Sequence, residues 1–190
     1  MKLRIGLVIA GTAVFVTLVV SPGLHLRSAS PQPRPAPATT QATIDGPYFS
    51  DRDQAGERII AAINRARSTI DVAMFDLTHP DITAALDHAR RRGVRIRLVG
   101  DREQGRDPHS EVAYLRSKGI AVRLSGGFHG ERSIMHDKFA IFDGTTVETG
   151  SFNWTSSADR YNYENLVFIS SPAVADRYEA AFQRIWEQAR

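Results

Sequence analysis

The chain has no cysteine, which excludes disulfides and removes the thiolate ligands of a structural zinc site. Whatever folds here must fold on a packed apolar core. Acidic residues are absent from the first 44 positions, where Lys2, Arg4, Arg27 and Arg34 are the only formal charges. The remainder holds 20 basic and 21 acidic residues, so the overall charge of +3 misdescribes it. A domain this close to neutral attracts nucleic acid only through a local grouping of cations. Lysine is scarce as well: beyond residue 44 there are 18 arginines and only two lysines, Lys118 and Lys138. A lysine in such a chain stands out as a choice.

Long apolar runs are nearly absent too. The exception, Ile5 to Val20, follows Lys2 and Arg4 and ends at Ser21-Pro22-Gly23. Basic start, apolar middle and break are the parts of an export signal, and the length approaches that of a spanning helix. Residues 1–23 therefore read as either a signal peptide or an uncleaved N-terminal membrane anchor. The positive residues keep that end in the cytoplasm, so the rest is expected outside it: periplasmic, free or tethered to the inner membrane. Within residues 24–44, the segment Ser28 to Thr43 has four prolines and little to bury. It reads as a disordered linker. The folded domain is expected over 45–190, its globular patterning starting at Asp53.

Helical spacing of Ile59, Ile60, Ile63 and Ala66 predicts a first helix to about Arg67. Thr69 to Phe75 reads as a buried strand, then a helix from the Thr78 to Asp81 turn through Arg92, ended by Gly93. A strand over Val94 to Val99, a short helix over Ser110 to Lys118 and a strand over Ile120 to Leu124 follow. Beyond a glycine-rich loop, strands Lys138 to Phe142 and Thr146 to Thr149 are joined through Asp143-Gly144, a tight-turn pair. Ser156 to Arg160 is a candidate helix, Leu166 to Ile169 a strand, and Val174, Tyr178, Ala181, Phe182, Ile185 and Trp186 stripe a C-terminal helix. The alternation predicts one α/β domain with a mixed sheet between helical layers.

The chemistry concentrates in Met135 to Asn153, MHDKFAIFDGTTVETGSFN. Strand side chains alternate, so His136 and Lys138 project to one side, a nucleophile or acid beside a fixed positive charge. That pair suits a phosphoryl group. Asp143, an odd number of residues from Lys138, points away from them and reads as a structural residue of the turn. His136, Lys138, Asp143, Gly150, Ser151 and Asn153 fall in register with the HxKxxxxDxxxxxxGSxN signature, and the chain from about residue 45 resembles the phospholipase D superfamily, in its small single-motif endonuclease branch. The resemblance implies a metal-independent phosphodiesterase with no cofactor, in which His136 attacks phosphorus to form a phosphohistidine. Lys138, Ser151 and Asn153 would hold the phosphate, and Glu164, in Asn162-Tyr163-Glu164-Asn165, would orient the histidine. A second histidine is needed to protonate the leaving oxygen, and the chain carries one copy of the motif. His25, His79, His88, His109 and His129 have no lysine two residues on. The implied assembly is a homodimer pairing two His136 residues.

Other readings stay open. His129, His136 and Asp137 supply metal-ligand types without a metal motif, while Arg90, Arg91 and Arg92 read as a solvated helix end. Phe128 is placed to stack on a base, touch lipid or pack as a lid. The substrate is expected to be DNA or RNA. A phospholipid such as cardiolipin is the alternative, made plausible by the membrane tether, and a non-catalytic nucleic-acid-binding module is the second.

Overall fold

The structure, a computed structural model, describes residues 41–129 and 132–190. The expectations for 1–23 and for most of the proline-rich segment lie outside the described residues. One seven-stranded sheet runs through the domain in the order β1-β7-β6-β5-β2-β3-β4. Its strands are β1 (Thr43–Phe49), β2 (Thr69–Met74), β3 (Arg95–Asp101), β4 (Ala121–Ser125), β5 (Lys138–Phe142), β6 (Thr146–Gly150) and β7 (Asn165–Ser170). β2, β3 and β4 are parallel neighbours, and every other pairing is antiparallel. The helices are α1 (Ala55–Arg65), α2 (Pro80–Arg91), α3 (Val112–Ser117), α4 (Ser156–Arg160) and α5 (Pro172–Gln188).

Two separate apolar clusters show why helices cover both faces. Ile59 and Ile63 of α1 and Ile82 and Leu86 of α2 pack with Ile70, Val72, Leu98 and Phe168 on one face. Phe182 and Ala175 of α5 pack with Ala73, Val99, Phe139 and Ile141 on the other. Successive residues of β2 and β3 thus feed opposite cores, as the pleat requires. Each large aliphatic chain buried this way contributes about 1.5–3 kcal/mol. The mixed sheet between helical layers is the expected architecture.

β1 corrects the linker boundary. Thr43 and Ile44, read as linker, pair with Ser170 and Ile169 across β7. Gly46-Pro47 interrupts the strand's alternation and shifts its register between Asp45 and Tyr48, and the strand is largely exposed. An edge strand tolerates a proline that a central one would not.

α5 is fastened to the sheet by Arg97 of β3. Its guanidinium donates two hydrogen bonds to Asp71 of β2 (2.7 and 2.9 Å), one to Glu179 (2.7 Å) and one to Gln183 (3.0 Å). It also lies 4.8 Å from the Phe182 ring centre. Glu148 of β6 is fully buried, and neither carboxyl oxygen has a hydrogen-bond partner among the described residues. Burial pushes its pKa up to about 8, against a smaller opposing influence from the Trp154 indole.

Asp143 begins the β5–β6 turn with φ 51°, followed by Gly144 at φ 64°. This left-handed pair is the turn geometry that Asp-Gly favours. The Asp143 carboxylate accepts from the backbone N–H groups of Arg67, Ser68 and Thr69 at 2.7–3.1 Å and from the Ser68 hydroxyl at 2.9 Å. The hairpin is thereby tied to the α1–β2 loop. Burial raises its pKa, but these donors outweigh it and leave the group below the ordinary carboxylate value. Its stabilising effect is present above the unfolded-state pKa and lost as pH falls through the folded one. Asp143→Ala is expected to lower stability by about 2 kcal/mol at neutral pH, with a smaller difference at pH 3. Urea titrations at the two pH values measure it, and an equal difference at both would contradict the account.

Candidate active site

His136 is held from both sides by its own backbone. Met135 N donates to Asp101 Oδ2 at 3.0 Å, and the Asp137 carbonyl accepts from Phe75 N at 3.0 Å. The Met135 side chain is buried in the α5-side core. Asp101, itself buried at the end of β3, also accepts from Glu103 N and Gln104 N (2.9 and 3.1 Å). The histidine is therefore pinned to the carboxyl ends of β2 and β3, while its ring is exposed.

Phe75, just past β2, is the platform for the pair. The His136 ring meets it edge-on, centroids 4.6 Å apart, and Lys138 Nζ lies 5.1 Å from its centre. Lys138 Nζ also donates to the His136 carbonyl at 2.9 Å. Partial burial lowers the lysine's pKa, and the carboxylates of Glu164, Asp137 and Asp76 pull it back. Half-buried Asp76 is itself raised, first by burial and then by repulsion from Asp107, against Leu77 N–H and Lys138.

Gly150 is required by a close approach. A Cβ there would stand 2.1 Å from the Asn165 carbonyl oxygen, so β6 and β7 touch backbone to backbone. Ser151 follows, its N–H donating to the same carbonyl at 3.0 Å. Its hydroxyl accepts from Asn165 N (3.1 Å) and donates to Glu164 Oε2 (2.5 Å). Asn153 is half-buried, and its Oδ1 has no partner among the described residues.

His136, Lys138, Gly150, Ser151 and Asn153 line one open cleft of about 880 Å³, walled opposite by α5. Asp143 lies at the far end of β5, outside it. Within one chain, the Glu164 carboxylate accepts from the Ser151 hydroxyl and from Asn162 Nδ2 (3.3 Å), with no hydrogen bond to the same chain's His136 among the described residues. The β6–β7 pairing puts Ser151 beside Glu164, so the nearest strong donor is that hydroxyl. Ser151 in turn has spent its hydroxyl proton on Glu164 and braces that carboxylate. The Glu164 charge also favours the protonated form of Lys138.

Among the described residues, His136 is the only histidine lining the cleft. His79 is buried, its Nε2 3.5 Å from Asp159 Oδ2. His129 and Asp137 do not join His136 in any group of three candidate metal ligands among the described residues. Arg90 and Arg91 pair with Asp87, and Arg92 donates to the carbonyls of Ile63 and Ala66. Phe128 is 96% exposed. Phe75, Asp101 and Asp76 escaped the sequence reading. Their only signal is position: each stands at or just past the end of an apolar strand that feeds the sheet's centre.

The family described as cardiolipin synthase, PLD-like domain matches residues 59–186. The Xenopus laevis protein named mitochondrial cardiolipin hydrolase is 36% identical over 137 residues, covering 72% of this chain and 63% of its own. The Homo sapiens protein of that name is 34% identical over 136 residues, covering 72% and 52%. The chain thus spans less than two thirds of the length of these curated relatives. Among solved structures, Nuc from Salmonella typhimurium, described as a phospholipase D family member, superposes with a TM-score of 0.72 at 34% identity, covering 79% of this chain and 97% of its own. NucT from Helicobacter pylori gives 0.70 at 25% identity, covering 78% and 97%.

Proposed function

The chain belongs to the phospholipase D-like family, and from that premise we propose that it is a metal-independent phosphodiesterase hydrolysing the phosphodiester bonds of DNA or RNA. The observation that carries the reading is the convergence of His136, Lys138 and Asn153 on one open cleft that holds no second histidine among its described residues. A neutral His136 nitrogen attacks phosphorus, forming a P–N bond as the P–O bond to the leaving alcohol breaks. Lys138 and the Asn153 amide balance the charge gathering on the phosphoryl oxygens. The leaving oxygen needs a proton, and the partner's His136 in a two-fold homodimer supplies it. That same histidine then takes a proton from water, whose oxygen displaces His136 from phosphorus and restores both groups. The basic start and apolar run at residues 1–23 support an exported enzyme, free in the periplasm or anchored at the membrane.

The test uses labelled single-stranded and duplex DNA, RNA and cardiolipin vesicles in excess chelator, with His136→Asn as control. Chelator-resistant cleavage of nucleic acid that the substitution abolishes is the expected result. Activity is further expected to rise with the dimer fraction on dilution series, and a fully active monomer would refute the shared-histidine step. Turnover of lipid alone would favour the second reading, phospholipid head-group hydrolysis. That reading draws on the name of the curated relatives and on the apolar Val174 and Ala181 in the cleft wall.

A further inference from the structure

The cleft is wider than one phosphate requires, and its far wall has a charge pattern that the catalytic pair does not use. Arg177 and Arg184 line it from α5, seven residues apart and therefore on one face, about 10 Å along the helix axis. Both are exposed. Arg177 has neither ion pair nor hydrogen bond among the described residues, and Arg184 donates only to the Ala180 carbonyl of its own helix, at 3.0 Å. Several other arginines of the domain, though not all, are committed: Arg97 to Asp71 and Glu179, Arg90 and Arg91 to Asp87, Arg123 to the Trp186 carbonyl. With Lys138, the cleft presents three cations against a single lining carboxylate, Asp137. That surplus is local, in a domain whose charges otherwise balance.

We propose that Arg177 and Arg184 form a subsite for a flanking phosphodiester of the same polynucleotide strand, beyond the scissile phosphate at His136 and Lys138. The inference rests on the polynucleotide reading and deepens it. The preferred substrate is a strand with consecutive phosphodiesters rather than an isolated diester. Guanidinium groups suit the task, since each offers a planar fork of donors to phosphate oxygens. The α5 wall supplies affinity without base recognition, because phosphate contacts orient a strand and carry no sequence information.

Binding is measured on the full chain carrying His136→Asn, with labelled dodecathymidylate as probe over a salt series. Adding Arg177→Gln and Arg184→Gln together is expected to weaken binding about tenfold or more and to make the log–log salt slope shallower by about 1.4. In the active chain, the same pair is expected to reduce kcat/KM on oligonucleotide about tenfold more than on bis(4-nitrophenyl) phosphate, a diester with no neighbouring phosphate. Unchanged affinity and slope would overturn the subsite, as would equal losses on both substrates. Loss of binding to cardiolipin vesicles with oligonucleotide binding intact would overturn it as well. Absence of nucleic-acid turnover by the wild type would refute the proposed function, while the binding series would still decide the subsite. Matching urea midpoints confirm that the variants are folded.

Discussion

Glu148→Gln is expected to stabilise the fold by ~3 kcal/mol at pH 7 and by almost nothing at pH 4. Glu148 is fully buried with no hydrogen-bond partner for either oxygen among the described residues, and its pKa rises from 4.5 to about 8. The cause is desolvation: a carboxylate in this apolar core loses its water and finds no cation to replace it. Between about pH 4.5 and 8 the folded chain keeps the proton that the unfolded chain releases. Stability therefore falls as pH rises through that window and levels off above it. Below pH 4.5 both states are protonated and the penalty vanishes. Glutamine is neutral throughout, so its advantage grows with pH and is absent in acid. Urea titration of both proteins at pH 4, 6 and 8 measures this. A difference independent of pH, or a loss of stability at neutral pH, would contradict the burial account.

Arg97→Met is expected to cost about 3 kcal/mol or more, because it leaves Asp71 buried without its principal counter-charge. Asp71 is 3% exposed, and Arg95, the remaining cation near it, stands 3.7 Å away on a half-exposed side chain. The same substitution releases Glu179 and Gln183 and removes the cation from the Phe182 ring, so the loss falls on the seat of α5. Oligonucleotide affinity is expected to fall with it, since α5 carries the Arg177 and Arg184 wall. Replacing both partners, Asp71→Leu with Arg97→Met, is expected to recover most of the stability, as an apolar pair leaves no stranded charge. A single-substitution cost below about 1 kcal/mol would show that water solvates Asp71 once Arg97 is gone.

Legibility differed sharply between elements. β5 and β6 stand where their apolar residues and the Asp143-Gly144 turn predicted, and α4 spans Ser156–Arg160 as expected. β1 was missed because Gly46-Pro47 breaks the period on which strand detection rests, and the neighbour that makes it a strand, β7, lies at the other end of the chain. At the site, the signature residues were readable because their spacing follows the two-residue repeat of a strand and the geometry of one hairpin. The contact between the Ser151 hydroxyl and Glu164 was not, because it forms across the β6–β7 pairing between residues thirteen apart in the chain.

Local periodicity was sufficient for the sequence by itself to determine the α/β alternation, the common side of His136 and Lys138, and the structural place of Asp143. Only the tertiary structure decided that Phe75 underlies both catalytic candidates, that Asp101 clamps the backbone before His136, and that α5 turns two arginines toward them. Those contacts join residues far apart in the chain, and they exist only once the sheet order has set β5 beside β2 and α5 across the open face. The backbone repeat encodes which way a side chain points, and the packing of distant elements encodes what it meets.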